Sequence, residues 1–267
     1  MKNNIKTIRL FPNNNEKSNS IVTILNKELI ENGFEITKDD FDLGIAIGGD
    51  GTFLRMLKKT NFNSEAFYIG INTGTLGFLQ EIKPDYISEF ITKIKANEYM
   101  IEEIGIQETR VDTDSESSKF YSLNEIVVRE KELNAIKLDI YVSDNLLEKF
   151  FGDGILISTS VGSTAYNLSY GGSIVYNNFH TLQITPIAPL NNKEYRNLLN
   201  SVVLPQEYMI TLIPRDGKND IMVTVDGENS FYNDVKKIVT VVNTKRINCL
   251  RLKDYNFINI INEKFLK

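Results

Sequence analysis

The segment Gly48-Gly49-Asp50-Gly51-Thr52 packs three glycines, a carboxylate and a hydroxyl into one short stretch. Glycines at this spacing let the backbone approach a phosphate without Cβ clashes, and a helix opening behind them favours negative charge. An aspartate in such a loop repels an anion. Asp50 therefore makes chemical sense as a group that accepts a proton from an attacking hydroxyl, orients that hydroxyl, or holds a metal ion. A tight strand-to-helix turn with a capping aspartate accounts for the same residues without chemistry. The second loop is Asn72-Thr73-Gly74-Thr75-Leu76-Gly77-Phe78. It follows the next apolar run, so it belongs beside the first loop at one sheet edge, where open parallel sheets collect ligands. Two glycine-bearing loops side by side form a crevice floor; the alternative is a flexible turn.

Asn124-Glu125 interrupts the apolar run Tyr121 to Val128. Strand alternation sends their side chains to opposite faces unless a bulge redirects one. Taken alone, the pair reads as a solvent-facing Glu beside a turn Asn. Farther on, Gly152-Asp153-Gly154 leads through a strand into Ser158-Thr-Ser-Val-Gly162-Ser-Thr164-Ala165-Tyr166-Asn-Leu-Ser169-Tyr-Gly-Gly172. Small residues there permit close backbone approach. The hydroxyls and free amides offer hydrogen bonds to ribose or phosphate, and Tyr166 offers a flat face to a base. A serine-rich turn is a poor explanation for so long a constrained run.

The elements that must position these loops change character along the chain. Ile5–Phe11, Phe34–Ile36, Phe41–Ile47 and Ala66–Ile71 read as strands. Glu16–Asn32 has apolar residues at helical spacing (Ile21, Ile24, Leu25, Leu29) with Gly33 as a stop. Thr52–Thr60 and Pro84–Ala96 read as further helices, Pro84 being suited to a first turn. Alternation of this kind implies an α/β domain with an open, mainly parallel sheet over residues 1–98. Past residue 98 the segments 100–112, 119–130, 135–143, 145–151, 154–159, 201–214, 220–226 and 236–252 are short, alternating and β-branched, which gives a β-rich domain over 99–250. Helices near Ser163–Ser169 and Asn192–Leu199 interrupt it. The segment 251–267 carries Phe257, Ile260, Ile261 and Phe265 at helical spacing and is expected to pack back on the first domain. The many Asn, Lys and Ile residues read as codon bias, so Asn clusters are given little weight as turn signals.

The chain has 267 residues, of which 42% are apolar and 24% charged, enough to bury a substantial core. Its net charge of −5 argues against a general nucleic-acid binder. The single cysteine, Cys249, excludes an internal disulfide, and with the single histidine, His180, it leaves little for a zinc site. A Ser-His-Asp hydrolase would have to use His180 from a loop-like stretch; a surface histidine is the simpler reading. Cys249 reads as a small core residue. No apolar run approaches membrane-spanning length and the N-terminal residues lack a signal-peptide pattern, so the expectation is a cytoplasmic protein without membrane attachment.

Taken together, Gly48-Gly-Asp-Gly-Thr52, Asn72-x-Gly-x-Leu-Gly-Phe78, Asn124-Glu125, Gly152-Asp-Gly154 and Gly162-Ser-Thr-Ala-Tyr-Asn-Leu-Ser-x-Gly-Gly172 resemble the NAD kinase family in order and spacing. Ile187-Ala-Pro189 and Val225-Asp-Gly227 resemble two later motifs, so the match runs from about residue 42 to 228. The first motif is shared with lipid kinases and phosphofructokinases, whereas the Gly162–Gly172 segment joined to Asn124-Glu125 is specific. The resemblance implies an NAD kinase-like two-domain fold with the active site between the domains. It implies phosphoryl transfer from ATP, or another donor, to the 2′-hydroxyl of the adenosine ribose of NAD, with a divalent metal, usually Mg²⁺, neutralising the phosphates.

By resemblance Asp50 is the general base or hydroxyl-orienting carboxylate. Gly48, Gly49, Gly51, Thr52, Asn72, Gly74 and Gly77 form the phosphate loops. Gly51, Phe78, Asn124, Glu125, Asp153, Thr164, Ala165, Tyr166, Ser169, Ala188 and Asp226 fall to NAD. Among these, Asn124 and Glu125 match adenosine contacts, Asp153 a contact to the nicotinamide end, and Thr164, Ala165, Tyr166 and Ser169 the adenine and ribose pocket. A homodimer or homotetramer is implied as well.

The family usually reads Ser-Thr-Pro-Thr/Ser-Gly where this chain has Ser158-Thr159-Ser160-Val161-Gly162. Losing one hydroxyl contact costs about 0.5–1.5 kcal/mol, which weakens an enzyme without abolishing it. Two rival readings follow: a weakly active or inactive paralogue that senses NAD(P), supported by Ser160 and Val161, and a lipid or sphingoid kinase, against which Asn124-Glu125 and Gly162–Gly172 argue.

Overall fold

A computed structural model of the chain describes residues 5–74, 77–215 and 220–267. Thr75 and Leu76 of the second glycine loop lie outside the described residues. The chain divides into a unit formed by Met1–Ile104 with Arg246–Lys267 and a unit formed by Gly105–Lys245.

The first unit begins β1 (Thr7–Pro12), α1 (Glu16–Glu31), β2 (Glu35–Ile36), β3 (Leu43–Gly48), α2 (Asp50–Lys59), β4 (Phe67–Asn72). A 3-10 turn, Pro84–Tyr86, then enters α3 (Ile87–Lys95), and β5 (Tyr99–Thr113) leads into the second unit. Asn15 caps α1 by accepting the Ser18 amide at 2.9 Å, satisfying one of the amides a helix start leaves free. Parallel pairs set β2 beside β1, β1 beside β3 and β3 beside β4. All six residues of β3 are buried, as a strand covered on both faces requires. Leu25 and Leu29 of α1 and Phe90 of α3 pack with Ile8, Ile45 and Ile69 in the core of this unit. Each such side chain contributes about 1.5–3 kcal/mol on burial.

The second unit continues with β6 (Ser117–Ser122), β7 (Glu125–Glu130), β8 (Ile136–Val142), β9 (Asn145–Thr159), a 3-10 turn Val161–Thr164 and α4 (Tyr166–Ser169). After these come β10 (Thr181–Pro189), β11 (Val202–Pro205), β12 (Ile210–Pro214), β13 (Ile221–Val225), β14 (Glu228–Tyr232) and the start of β15 (Val235–Leu252). Pairing here is antiparallel. β9 pairs with β8 through its first half and lies between β7 and β10 through its second. Ile126, Val128, Ile155, Ile157, Leu182 and Ile184 face one core. β15 returns to the first unit, where Asn248 and Cys249 pair in parallel with Phe67 and Tyr68, and α5 (Phe257–Phe265) follows. The parallel α/β part and the β-rich part are those expected.

Several details differ from expectation. The helix expected from Thr52 starts at Asp50, and the one expected from Pro84 opens with a 3-10 turn. The segments 145–151 and 154–159 form one strand. β10 and β14 were not read as strands; β10 carries Pro186 and Pro189, which weaken a strand signal. No helix forms over residues 192–199. Asn192 Oδ1 instead accepts the Glu194 and Tyr195 amides, both at 2.8 Å, and Asn197 Nδ2 donates to Leu190 O and Phe151 O at 2.7 and 2.9 Å. Asparagine side chains there capture the backbone groups a helix would need, so Asn clusters do act as turn signals here. His180 is exposed, and burial pushes the Cys249 thiol up to about 12. Among the described residues no helix is long and apolar enough to cross a membrane.

Candidate functional site

In the first unit both glycine loops leave the carboxyl ends of adjacent parallel strands, β3 and β4. Gly48 closes β3 at φ +159°, and a Cβ there would collide with the Thr52 hydroxyl. Gly49 caps α2 with its backbone, its carbonyl accepting the Thr52 amide at 2.8 Å. Asp50, the first helical residue, turns its carboxylate to the second loop. Oδ2 accepts the Phe78 amide at 3.1 Å and Oδ1 the Leu79 amide at 2.9 Å. Gly77 makes this approach possible, because a Cβ there would fall on Asp50 Oδ1. Gln80 Nε2 ties the loops again by donating to Gly49 O at 2.8 Å. Asn72 shapes the second loop by accepting the Gly74 amide at 2.9 Å, an Asx-type turn. Among the described residues the space around Gly74 is open, and a Cβ on Gly51 would meet only Arg55 Nη1, at 4.0 Å.

The capping explanation of Asp50 is half right. Its carboxylate satisfies backbone amides, but those of the neighbouring loop and not those of its own helix. Phe78 is buried at 7% exposure, with ring centroids 5.9 Å from Phe257 and 5.5 Å from Phe265. Lys264 Nζ, also from α5, lies 3.6 Å from Asp50 Oδ2 and 4.4 Å from the Phe78 ring centroid.

In the second unit Asn124-Glu125 is held from below by Asp226. The two-residue turn Asp226-Gly227, with φ of 46° and 83°, joins β13 to β14, and both residues have the positive φ that a tight hairpin favours. Asp226 Oδ2 accepts the Leu123 amide at 2.9 Å, while Oδ1 accepts those of Asn124 and Glu125 at 2.8 and 3.3 Å. The solvent-facing reading of Glu125 is overturned, since the residue is 6% exposed. Among the described residues its Oε2 has no hydrogen-bond partner. Burial, followed by the charge of Asp226, pushes the Glu125 carboxyl up to about 8, against a lowering by the Tyr166 amide. At neutral pH Glu125 is therefore mostly the neutral acid, a donor as well as an acceptor.

The hydroxyl-rich loop folds over this pair. Asn124 O accepts the Thr159 amide at 2.9 Å, and a Cβ on Gly162 would run into that same carbonyl. Asn167 is fully buried and ties the short helix down, accepting Thr185 Oγ1 at 2.6 Å and donating to Ser163 O at 3.2 Å. Thr164 and Ala165 are half-buried, and Tyr166 and Ser169 are exposed. Ser160 and Val161, where the chain departs from the family pattern, are both buried.

Asp153 is exposed on β9 between Gly152 and Gly154. The pairs Ile187–Gly154 and Pro189–Gly152 bracket it and set it opposite Ala188, which is bent to φ 43°. Residues that sequence reasoning missed connect these groups: Arg129 Nη2 donates to the Tyr170 hydroxyl, and that hydroxyl is 2.8 Å from the Tyr166 hydroxyl. Arg129 was hidden in an apolar strand run, and Tyr170 stood at the variable position of its motif. Gln80 and Lys264 carried no local signal.

Comparisons with known proteins bear on the family and the fold. The model of the ATP-NAD kinase N-terminal domain matches residues 7–99, and that of the ATP-NAD kinase C-terminal domain matches residues 123–249. The chain is 43% identical to an NAD kinase of Finegoldia magna, with 100% of both chains covered, and 30% identical to NAD kinase 2 of Bacillus subtilis, with 98% of each covered. Among solved structures it is similar in fold to yeast NADH kinase complexed with NADH (TM-score 0.83, 20% identity, 98% of this chain and 88% of that one). It is similar also to an NAD kinase from Archaeoglobus fulgidus in complex with ATP (TM-score 0.77, 22% identity, 96% and 98%). This chain belongs to the ATP-NAD kinase family.

Proposed function

We propose that the chain is an NAD kinase, transferring the γ-phosphoryl group of ATP or another phosphate donor to the 2′-hydroxyl of the adenosine ribose of NAD, giving NADP. The observation that carries this reading is a single carboxylate, Asp50, fixed by the Phe78 and Leu79 amides at the mouth of two glycine loops. Phosphoryl transfer needs positioning and charge neutralisation more than covalent chemistry. The 2′-oxygen bonds to the γ-phosphorus as the bond to the bridging oxygen of the β-phosphate breaks, with its electron pair leaving on the diphosphate. Asp50 orients the hydroxyl and accepts its proton. Gly48, Gly49, Gly51, Thr52, Asn72, Gly74 and Gly77 hold the donor's phosphates. Asn124 and Glu125 hold the adenosine with Thr164, Ala165, Tyr166 and Ser169, and Asp153 and Ala188 serve the nicotinamide end. Asp226 acts on NAD through the Asn124-Glu125 backbone, and Phe78 through the amide it gives Asp50.

Among the described residues no group of three or more His, Cys, Asp or Glu could hold a metal ion. The residues therefore fit a cation that is brought in largely by phosphate oxygens, with Asp50 as its one protein carboxylate. Mg²⁺ held this way would neutralise the phosphates. The same reading divides the chain into a phosphate-loop domain over 1–98, an NAD-binding domain over 99–250 and a terminal segment over 251–267. It takes the enzyme as a cytoplasmic homodimer or homotetramer, which light scattering on the purified chain tests.

The decisive experiment is formation of NADP from NAD, ATP and Mg²⁺ by the purified chain, run across phosphate donors and with NADH in place of NAD. NADP is the expected product. Tight dinucleotide binding without product would turn the reading to an NAD(P) sensor, and absence of both would end either dinucleotide reading.

A further inference from the structure

A cavity of about 240 Å³ lies between the end of β1 and α2 in the first unit, lined by Arg9, Thr52, Arg55 and Lys59 and by no carboxylate. This is unexpected in a chain with 35 acidic residues against 30 Lys and Arg. None of these cations is ion-paired among the described residues. Arg9 reaches only the Asp39 backbone carbonyl, at 3.5 Å, and the Phe11 ring, 4.9 Å from its centroid. Arg55 is held by neutral groups, donating to Asn13 Oδ1 at 3.0 Å and Thr52 Oγ1 at 3.1 Å. Those bonds fix its guanidinium while leaving its charge uncompensated.

Thr52, Arg55 and Lys59 share one face of α2 at i, i+3 and i+7. The face runs about 10 Å along the helix at 1.5 Å per residue, starting at the phosphate loop. A cleft lined by one sign of charge focuses its field and concentrates the opposite ion. Arginine forks match phosphate geometry, lysine adds a mobile point charge, and the α2 N-terminus contributes at the Thr52 end. We propose that Arg9, Arg55 and Lys59 form an oligophosphate subsite extending from Thr52, beyond the residues assigned above to the donor. The length of the charged face selects linked phosphates over a single one. Only the assignment of that anion to the donor's tail rests on the kinase reading.

Calorimetric binding of inorganic tripolyphosphate to the full chain, without NAD, tests the subsite directly. Arg9→Gln/Lys59→Gln is expected to lose about tenfold in affinity with unchanged circular dichroism, and Lys59→Gln alone, at an exposed position, a few-fold. Steady-state kinetics then identify the source. A raised KM for ATP with unchanged KM for NAD marks the donor's own phosphates; an unchanged KM for ATP beside weakened tripolyphosphate binding marks a free phosphate-rich anion. No tripolyphosphate binding by wild type, or equal binding by wild type and both variants, overturns the proposal. If wild type makes no NADP while the variants still lose tripolyphosphate, the kinase reading fails and the subsite stands.

Discussion

Lys264 sets its ammonium 3.6 Å from Asp50 Oδ2, beside a carboxylate that already accepts the Phe78 and Leu79 amides. Both partners are about one-third exposed, so solvent screening keeps the pair within the range of surface ion pairs, about 0.2–1 kcal/mol. Lys264→Ala should lower kcat by at most about fivefold at that energy. The loss should vanish in an Asp50→Asn background, because the coupling exists only with the carboxylate. Equal losses in both backgrounds would show that Lys264 acts through packing of α5.

Asp50→Asn is expected to cut turnover at least about a hundredfold, the usual range for loss of a general base, with NAD affinity retained. Equilibrium binding beside single-turnover rates separates the two. Wild-type turnover in this variant would remove Asp50 from the chemistry.

The glycines of the second loop should divide sharply on substitution. Gly77→Ala drives a methyl into Asp50 Oδ1 and should abolish turnover, while Gly74→Ala meets no atom of the described residues within 4 Å and should fold and turn over like wild type. Similar kinetics for both variants would contradict the loop geometry.

Asp226→Ala leaves the Leu123 and Asn124 amides without their acceptor. Unpaired buried donors cost about 1–3 kcal/mol, so a lower Tm and a weakened KM for NAD should appear together. Asp226→Asn, which retains one acceptor oxygen, should fall between the two.

Glu125 gives a pH prediction. Its carboxyl is raised from 4.5 to about 8 in the folded chain, so the stability it contributes is complete below pH 4.5 and is lost as pH rises through 8. Glu125→Gln removes that dependence. Thermal melts should show the variant gaining on wild type from pH 5 to pH 9, and a constant difference would place Glu125 in water. Glu81, raised to about 7 by burial against the pull of Arg251, adds a second dependence in the same direction at lower pH.

Much of this arrangement was legible because it is written locally. Gly48 to Thr52 sits between an apolar strand run and a helical run, and Gly162 to Gly172 is long enough to be constrained throughout. What escaped was carried by contacts distant in sequence. Glu125 looked exposed from its neighbours, and the groups that act on its carboxyl, Asp226 and the Tyr166 amide, lie about a hundred and about forty residues away. A cap was one of the two local readings of Asp50, because nothing local pointed it at Phe78. Lys264 meets Asp50 only once the chain has returned to its first unit. The missing helix at residues 192–199 failed for the opposite reason: its asparagines spoke locally and were discounted.

The first unit cannot be finished by the first part of the gene to be translated. Until Asn248 and Cys249 leave the ribosome, Phe67 and Tyr68 of β4 have a strand neighbour on one side only, and Phe78 lacks the aromatic rings of α5. A nascent chain stalled before residue 246 would display the unpaired Phe67–Tyr68 end of the β4 edge, a template for joining other chains. Emergence of residues 248–267 is thus the step that both completes the sheet and hands Asp50 its lysine.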